Sequence, residues 1–149
     1  LFCIATGFVL RVWVGALAVD VPLSSWMLIT TLCLALYLAA IKRRTELARS
    51  GLGGRAVLGA YSVVLLDRYA EIAAVSSILF YGLYVMEVRP ELTVTIPLVL
   101  FGLFRYWFIV EKQDAGESPT DALYTDLPLL LTVAAWGVLS GVVLWISQP

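Results

Sequence analysis

The sequence predicts an all-α fold, a polytopic transmembrane helical bundle with five spans. Hydrophobic residues make up 61% of the 149 residues and charged residues only 14%, whereas charged residues make up roughly a quarter of an ordinary soluble domain. Several apolar stretches also reach about 20 residues, the length that crosses a bilayer as a helix. Lipid is therefore the expected solvent for most of the chain, and we expect residues 1–149 to form a single transmembrane domain.

Five apolar segments account for this prediction. They cover residues 1–19, 25–41, 61–86, 92–110 and 127–147. Pro22 and Pro90 lie between segments, where proline disfavours continuation of a helix. Ser24 or Ser25 can cap the second helix, and Pro128 falls in the first turn of the fifth, where proline is tolerated. Each segment therefore has a local reason to begin or end where it does.

The basic residues are unevenly distributed between the segments. Five of the ten Lys and Arg residues lie between Lys42 and Arg55, whereas the reversal at residues 20–25 has none and the reversal at 87–91 has only Arg89. Basic loops stay in the cytoplasm. We therefore expect the basic segment and the acidic loop at 111–126 to lie on the cytoplasmic side of the membrane.

The composition also excludes several functions. Histidine is absent, and the two cysteines, Cys3 and Cys33, lie in apolar runs without metal-ligand spacing. A zinc site, a haem histidine and a Ser-His-Asp triad are excluded, and we expect both cysteines to be small buried hydrophobic residues. A net charge of -1 gives no basis for a nucleic-acid partner. Because the chain begins with Leu1 and no signal sequence, we expect it to be a piece of a longer protein.

Arg11 is the first residue that could carry chemistry. It lies near the middle of the first span, where a charge costs several kcal/mol unless it is paired or hydrated. It could line a polar cavity, or its guanidinium could bond to backbone carbonyls between helices.

A second candidate group follows the second span. Lys42, Glu46 and Arg49 are spaced i, i+4 and i+7, which places them on one helical face with Arg43 beside them. Such a face can bind a phosphorylated ligand. It can equally be a topology signal that carries a solvated ion pair.

Two carboxylates mark the start of the third helix. Asp67 and Glu71 are four residues apart, and like charges at this spacing repel. We expect Arg68, a basic residue of the preceding loop, or a divalent cation to compensate them, since such cations take carboxylate ligands. Arg105 lies at a similar depth on the fourth helix and could close the same pocket or extend to the interface.

Taken together, the ordered motifs resemble the second half of a UbiA-superfamily membrane transferase, in the branch that transfers phosphoribosyl groups to polyprenyl phosphates. The matching segments are Gly7–Arg11, Asp20–Trp26, Lys42–Leu47 (KRRTEL), Tyr61–Ser62, Leu65–Asp67, Phe101–Tyr106 and Asp121–Leu131, which includes Asp126–Leu131. The resemblance implies a nine-helix fold, of which this chain would supply helices five to nine. It also implies phosphoribosyl diphosphate as donor, a polyprenyl phosphate as acceptor and Mg²⁺ as cofactor.

The resemblance further implies roles for individual residues. These are catalysis by Glu46 and Asp67, phosphate binding by Lys42, Arg43, Arg11, Arg105 and Tyr61, and a contribution of Asp67 to the metal site. Glu46 would position Lys42 or a ribose hydroxyl, and Arg105 would hold the acceptor phosphate.

The chain departs from the superfamily pattern in two places. The Asp-rich NDxxDxxxD motif, which provides much of the metal site in the superfamily, is not in this sequence, so we expect the chain to be catalytically incomplete by itself. The second motif, DxxxD, is replaced by KRxxEL, which favours the phosphoribosyl branch. Two other functions remain open: a prenyltransferase acting on an aromatic or quinone precursor, and a transporter or structural membrane subunit.

Overall fold

The fold is an all-α bundle, as predicted. The computed structural model describes residues 1–18, 20, 22–50, 61–113 and 123–147, and this part of the chain contains five long helices. They are α1 (Phe2–Ala18), α2 (Ser25–Ser50), α3 (Val63–Val88), α4 (Ile96–Gln113) and α5 (Leu127–Ile146), with a 3₁₀ turn (Pro90–Thr95) before α4. Every predicted apolar segment therefore contains a helix.

Three helical segments of the described chain are long and apolar enough to cross a membrane. They are Ser25–Ala48, Pro90–Lys112 and Leu127–Ile146, whereas α1 is a shorter apolar helix. The third helix, α3, carries Asp67, Arg68 and Glu71 in its first turns. Length and composition thus support three of the five predicted spans, and the spans at α1 and α3 stay predictions.

The helix ends show which sequence signals determine where the helices begin and end. The Ser24 hydroxyl accepts a hydrogen bond from the Trp26 amide, and Ser62 accepts one from the Leu65 amide. At its other end α2 continues through the KRRTEL segment to Ser50, which agrees with the helical face predicted from the spacing of Lys42, Glu46 and Arg49. Lys, Arg, Glu and Leu are strong helix formers, which explains the extension. Residues 51–60, which include the end of the basic segment, and residues 114–122 of the acidic loop lie outside the described residues.

Helices α2 and α3 form the most extensive contact in the bundle. Ala40, Ala70 and Ala73 are buried in the central core, and small residues of this kind allow helix backbones to approach closely within a membrane. At one end of the α2–α3 pair the Trp26 indole N–H donates to the Glu87 carboxylate. The pairing brings the basic C-terminal turns of α2 beside the first turns of α3.

The two cysteines differ in their surroundings. Cys33 is buried on α2, as expected for a small hydrophobic residue, whereas Cys3 is exposed on α1. The expectation for Cys3 was wrong because only one face of α1 packs against a described helix, and the opposite face presents Phe2, Val14 and Leu17.

Candidate functional site

Arg44 joins three helices at the charged end of the bundle. On α2, its Nε donates to Asp67 Oδ1 on α3 at 2.6 Å, and one terminal nitrogen donates to Glu111 Oε2 on α4 at 2.8 Å. The Arg44 side chain is only 16% exposed, and that of Asp67 is 28% exposed. Charge-assisted bonds of this length are among the stronger polar contacts in proteins. One guanidinium therefore contacts both α3 and α4 at this end, although Glu111 is 59% exposed; we call these three residues the Arg44 cluster.

Helical spacing within the sequence indicated Asp67 as a site residue but did not indicate Arg44 or Glu111. A basic neighbour was expected for Asp67, and the structure supplies Arg44, while Arg68 is exposed. A usable signal was present: Tyr37, Ile41 and Arg44 follow the i, i+4, i+7 spacing of one helical face, and the first two are the largest buried residues of α2. Extending that buried stripe by one turn would have placed Arg44 towards α3.

The KRRTEL segment forms the neighbouring polar surface. Arg43 donates to Glu46 at 2.5 Å within one helical turn, and Lys42 is exposed. Glu46 thus contacts Arg43, whereas the prediction gave it Lys42 or a ribose hydroxyl as partner. The Arg49 side chain lies outside the described residues. Tyr61 packs against the small buried cluster of Leu47 and Leu66. Lys42, Arg43, Glu46 and Tyr61 accordingly belong to the same end of the bundle as Asp67.

Arg105 forms a second ion pair between helices. Its Nε and a terminal nitrogen donate to the two Asp126 oxygens at 3.0 and 2.7 Å. Asp126, 6% exposed, also accepts from the Leu129 amide at 2.9 Å and caps α5. The hydrogen bonds from Arg105 hold the pKa of Asp126 below its usual range. Asp126 was not predicted as the partner of Arg105, although an Asp immediately before an apolar run is a capping signal.

Arg11 lies apart from these groups. It is exposed on α1, and its guanidinium carbon is 5.4 Å from the centroid of the Phe8 ring. Leu1, at the start of the same segment, packs against the Leu47–Leu66 cluster. Ten residues of helix separate Arg11 from Leu1, about 15 Å along the axis. Arg11 is therefore the one predicted phosphate ligand that the described structure does not bring to the charged end.

The described residues do not form a metal site by themselves. No group of three Cys, Asp or Glu side chains in the described ranges is close enough to hold an ion. Asp67, the predicted metal ligand, instead accepts a hydrogen bond from Arg44. The magnesium site stays a prediction.

An apolar groove of about 530 Å³ lies between α3 and α4 beside the Arg44 cluster. Its volume is within the range of roughly 300–1,000 Å³ that is common for ligand pockets. Glu71, Glu111 and Lys112 line it at the charged end. Away from that end its lining is aliphatic and aromatic, from residues that include Tyr37, Ala74, Val75, Ile78, Phe104 and Phe108.

Three helical segments that are long and apolar enough to cross a membrane define an integral membrane protein. The chain is similar to proteins named decaprenyl-phosphate phosphoribosyltransferase: it is 29% identical to that of Mycobacterium tuberculosis, 27% to that of Corynebacterium glutamicum and 26% to that of Mycolicibacterium smegmatis. Each comparison covers 89% of this chain but only 43–46% of the relative, so the chain spans less than half the length of these relatives. No protein-family model matches it. The predicted resemblance to the phosphoribosyl branch is confirmed.

Proposed function

We propose that this chain is the C-terminal half of a membrane transferase that moves a phosphoribosyl group from phosphoribosyl diphosphate to a polyprenyl phosphate. The observation that carries the proposal is the convergence of three helices on the Arg44 cluster, next to the KRRTEL surface and an apolar groove, in a chain similar to such transferases. A phosphorylated sugar needs the polar surface, and a long lipid needs the apolar one. The active face would be on the cytoplasmic side of a bacterial plasma membrane.

The residue types suit this reaction. A phosphate oxygen of the acceptor attacks the anomeric carbon, the bond from that carbon to the diphosphate oxygen breaks, and pyrophosphate leaves. Positive charge develops on the sugar and negative charge on the leaving group, so cations aimed at the diphosphate lower the barrier. Lys42 and Arg43 would bind the diphosphate, with Glu46 orienting Arg43 through the contact already present. Asp67 would face the sugar, held in place by Arg44.

The direct test uses the full-length protein in membranes, supplied with phosphoribosyl diphosphate labelled in the sugar and with polyprenyl phosphate. The proposal predicts labelled lipid and one pyrophosphate per lipid formed. The contrary result has two parts. The protein transfers a prenyl group from a polyprenyl diphosphate to an aromatic acceptor, and it forms no labelled lipid from phosphoribosyl diphosphate. That result would assign the chain to a prenyltransferase instead.

Lys42→Met should raise the KM for phosphoribosyl diphosphate about tenfold, which corresponds to about 1.4 kcal/mol. Lys42 is exposed at the charged end, so its loss removes a phosphate contact without disturbing a buried partner. Lys42→Arg keeps the charge and should restore most of the affinity. Steady-state kinetics with either substrate varied provide the measurement, and an unchanged donor KM in Lys42→Met would remove this residue from the site.

A further inference from the structure

One face of α3 is apolar and exposed along most of the helix. Its members are spaced seven or eight residues apart, which is two helical turns, and they are between 58% and 73% exposed: Val64, Ile72, Leu79 and Met86. Another face of α3 packs against α2, which is long and apolar enough to cross a membrane. The four exposed residues therefore face the hydrocarbon of the bilayer, and we call them the α3 stripe. All four lie outside the lining of the groove between α3 and α4.

Arg68 interrupts this stripe near the charged end of the bundle. It follows Val64 by one helical turn and is exposed. Among the described residues it forms no ion pair, because Asp67 accepts a hydrogen bond from Arg44 instead and Glu71 lines the groove. A guanidinium beside lipid tails is costly unless it is paired or hydrated. Arg68 therefore needs a partner at the surface of the membrane.

The direction of α3 carries the Arg68 side chain towards the lipid head groups. Side chains of an α-helix lean towards its N-terminus, and α3 begins at the charged end, at Val63. Arg68 lies about 8 Å along the axis from that start, a distance over which an arginine extends its apolar stem along the helix while its head stays in water. The neighbouring Tyr69 is 42% exposed, and tyrosine is enriched at the membrane–water interface. This arrangement brings the Arg68 guanidinium to the level of the lipid phosphates.

Charge and shape together select the partner of Arg68. A guanidinium binds a phosphate through two parallel hydrogen bonds, but a free sugar phosphate has no group that packs on the α3 stripe. An apolar helix would cover the stripe and leave Arg68 unpaired. A phospholipid with a net negative charge satisfies both features, because its phosphate meets Arg68 and its acyl chain lies along the stripe. The exposed Lys42 and Lys112 at the same end strengthen the attraction of anionic head groups.

We propose that the α3 stripe binds an anionic phospholipid of the surrounding bilayer, with the lipid phosphate on Arg68 and an acyl chain along Ile72 and Leu79. This lipid is a partner of the fold and not a substrate, so the site does not rest on the proposed function. Asp67 precedes Arg68 in the sequence and contacts Arg44. A bound head group therefore also holds the first turns of α3 beside the Arg44 cluster.

The test is a lipid titration of the purified full-length protein in detergent, followed by native mass spectrometry. Phosphatidylglycerol is the anionic probe, and phosphatidylcholine is its zwitterionic counterpart. Arg68→Ala should weaken binding of the first phosphatidylglycerol about fivefold, the effect expected of one basic residue at a membrane surface. Binding of phosphatidylcholine should stay nearly unchanged. Arg68→Lys keeps the charge and should keep most of the affinity for phosphatidylglycerol.

Lys112→Ala is the matched control, because Lys112 is also exposed at the charged end but lines the groove. It should leave the binding of phosphatidylglycerol nearly unchanged, and equal losses in the two variants would overturn the proposal. Equal affinities of wild-type and Arg68→Ala protein would overturn it as well. So would displacement of the lipid by phosphoribosyl diphosphate, which would assign Arg68 to the donor site. Because Arg68 is exposed, Arg68→Ala should unfold at the wild-type temperature in lipid-free detergent, so that weaker binding reports the lost contact.

Discussion

Replacing Arg44 by methionine is expected to lower kcat about a hundredfold in the full-length protein. The substitution removes the guanidinium that holds Asp67 of α3 and Glu111 of α4, and a shift of about 1 Å in a reacting group can cost two orders of magnitude in rate. Two carboxylates are then left close together at the end of an apolar bundle. Loss of the charge-assisted hydrogen bonds should also lower the free energy of unfolding by about 2 kcal/mol.

Transfer of labelled phosphoribose and thermal unfolding in detergent measure the two effects. Arg89→Met is the matched control, because Arg89 is 50% exposed and reaches Glu91 only at 3.7 Å; it should leave both quantities nearly unchanged. Arg44→Lys keeps the charge but cannot form the fork of two bonds, so its kcat should be intermediate. A positioning role requires the loss to appear in kcat at saturating substrate. An Arg44→Met protein with wild-type kcat and reduced stability would show that the cluster is structural only.

The fold was predictable because a lipid bilayer restricts the backbone conformations that the chain can adopt. Backbone groups in a bilayer must bond within their own segment, so the length of each apolar run and the position of each proline nearly determine the helices. Helix α2 continues beyond the predicted end of its apolar segment at residue 41 and runs to Ser50. The spacing of Lys42, Glu46 and Arg49 had indicated this helical extension, and the residues of KRRTEL are good helix formers.

Contacts within the site were predictable only where the two residues are close together in the sequence. The contact of Arg43 with Glu46 spans three residues, and helical spacing reveals such neighbours. The contacts of Arg44 span 23 and 67 residues. They depend on how three helices are rotated towards one another, which no spacing within one helix encodes. The sequence could therefore show that Asp67 needs a cation but not which cation it obtains.

The ion pair of Arg105 and Asp126 connects α4 to α5, and the contacts of Arg44 connect α3 to α4 in the same way. Both pairs connect an arginine on one helix to a carboxylate at the charged end of the next. An arginine held in two bonds by a carboxylate resists competition by a single phosphate oxygen. Arg105 is thus already paired with Asp126. Its predicted role in holding the acceptor phosphate requires the phosphate to displace the buried carboxylate of Asp126 or to bind beside it.

Asp126→Ala is expected to destabilise the bundle more than Asp126→Asn does. Both substitutions remove the charge that faces Arg105, but asparagine is as good a helix cap as aspartate, and loss of a cap costs about 1 kcal/mol. Alanine therefore loses the cap on α5 as well as the ion pair. Unfolding in mixed micelles of increasing denaturing detergent would rank the variants. Equal stability of the two would show that the bond to the Leu129 amide contributes nothing.

The same pair predicts how stability depends on pH. Hydrogen bonds from Arg105 lower the pKa of Asp126 in the folded protein, whereas an unfolded aspartate titrates near its ordinary value of about 3.9. The stabilisation is therefore present above that ordinary value and is lost as the pH falls through the lower, folded pKa. Wild-type protein should lose stability over this acidic range relative to Asp126→Asn, whose amide does not titrate. If the wild-type protein and Asp126→Asn lose stability to the same extent as the pH falls, the carboxylate of Asp126 is not stabilised by Arg105.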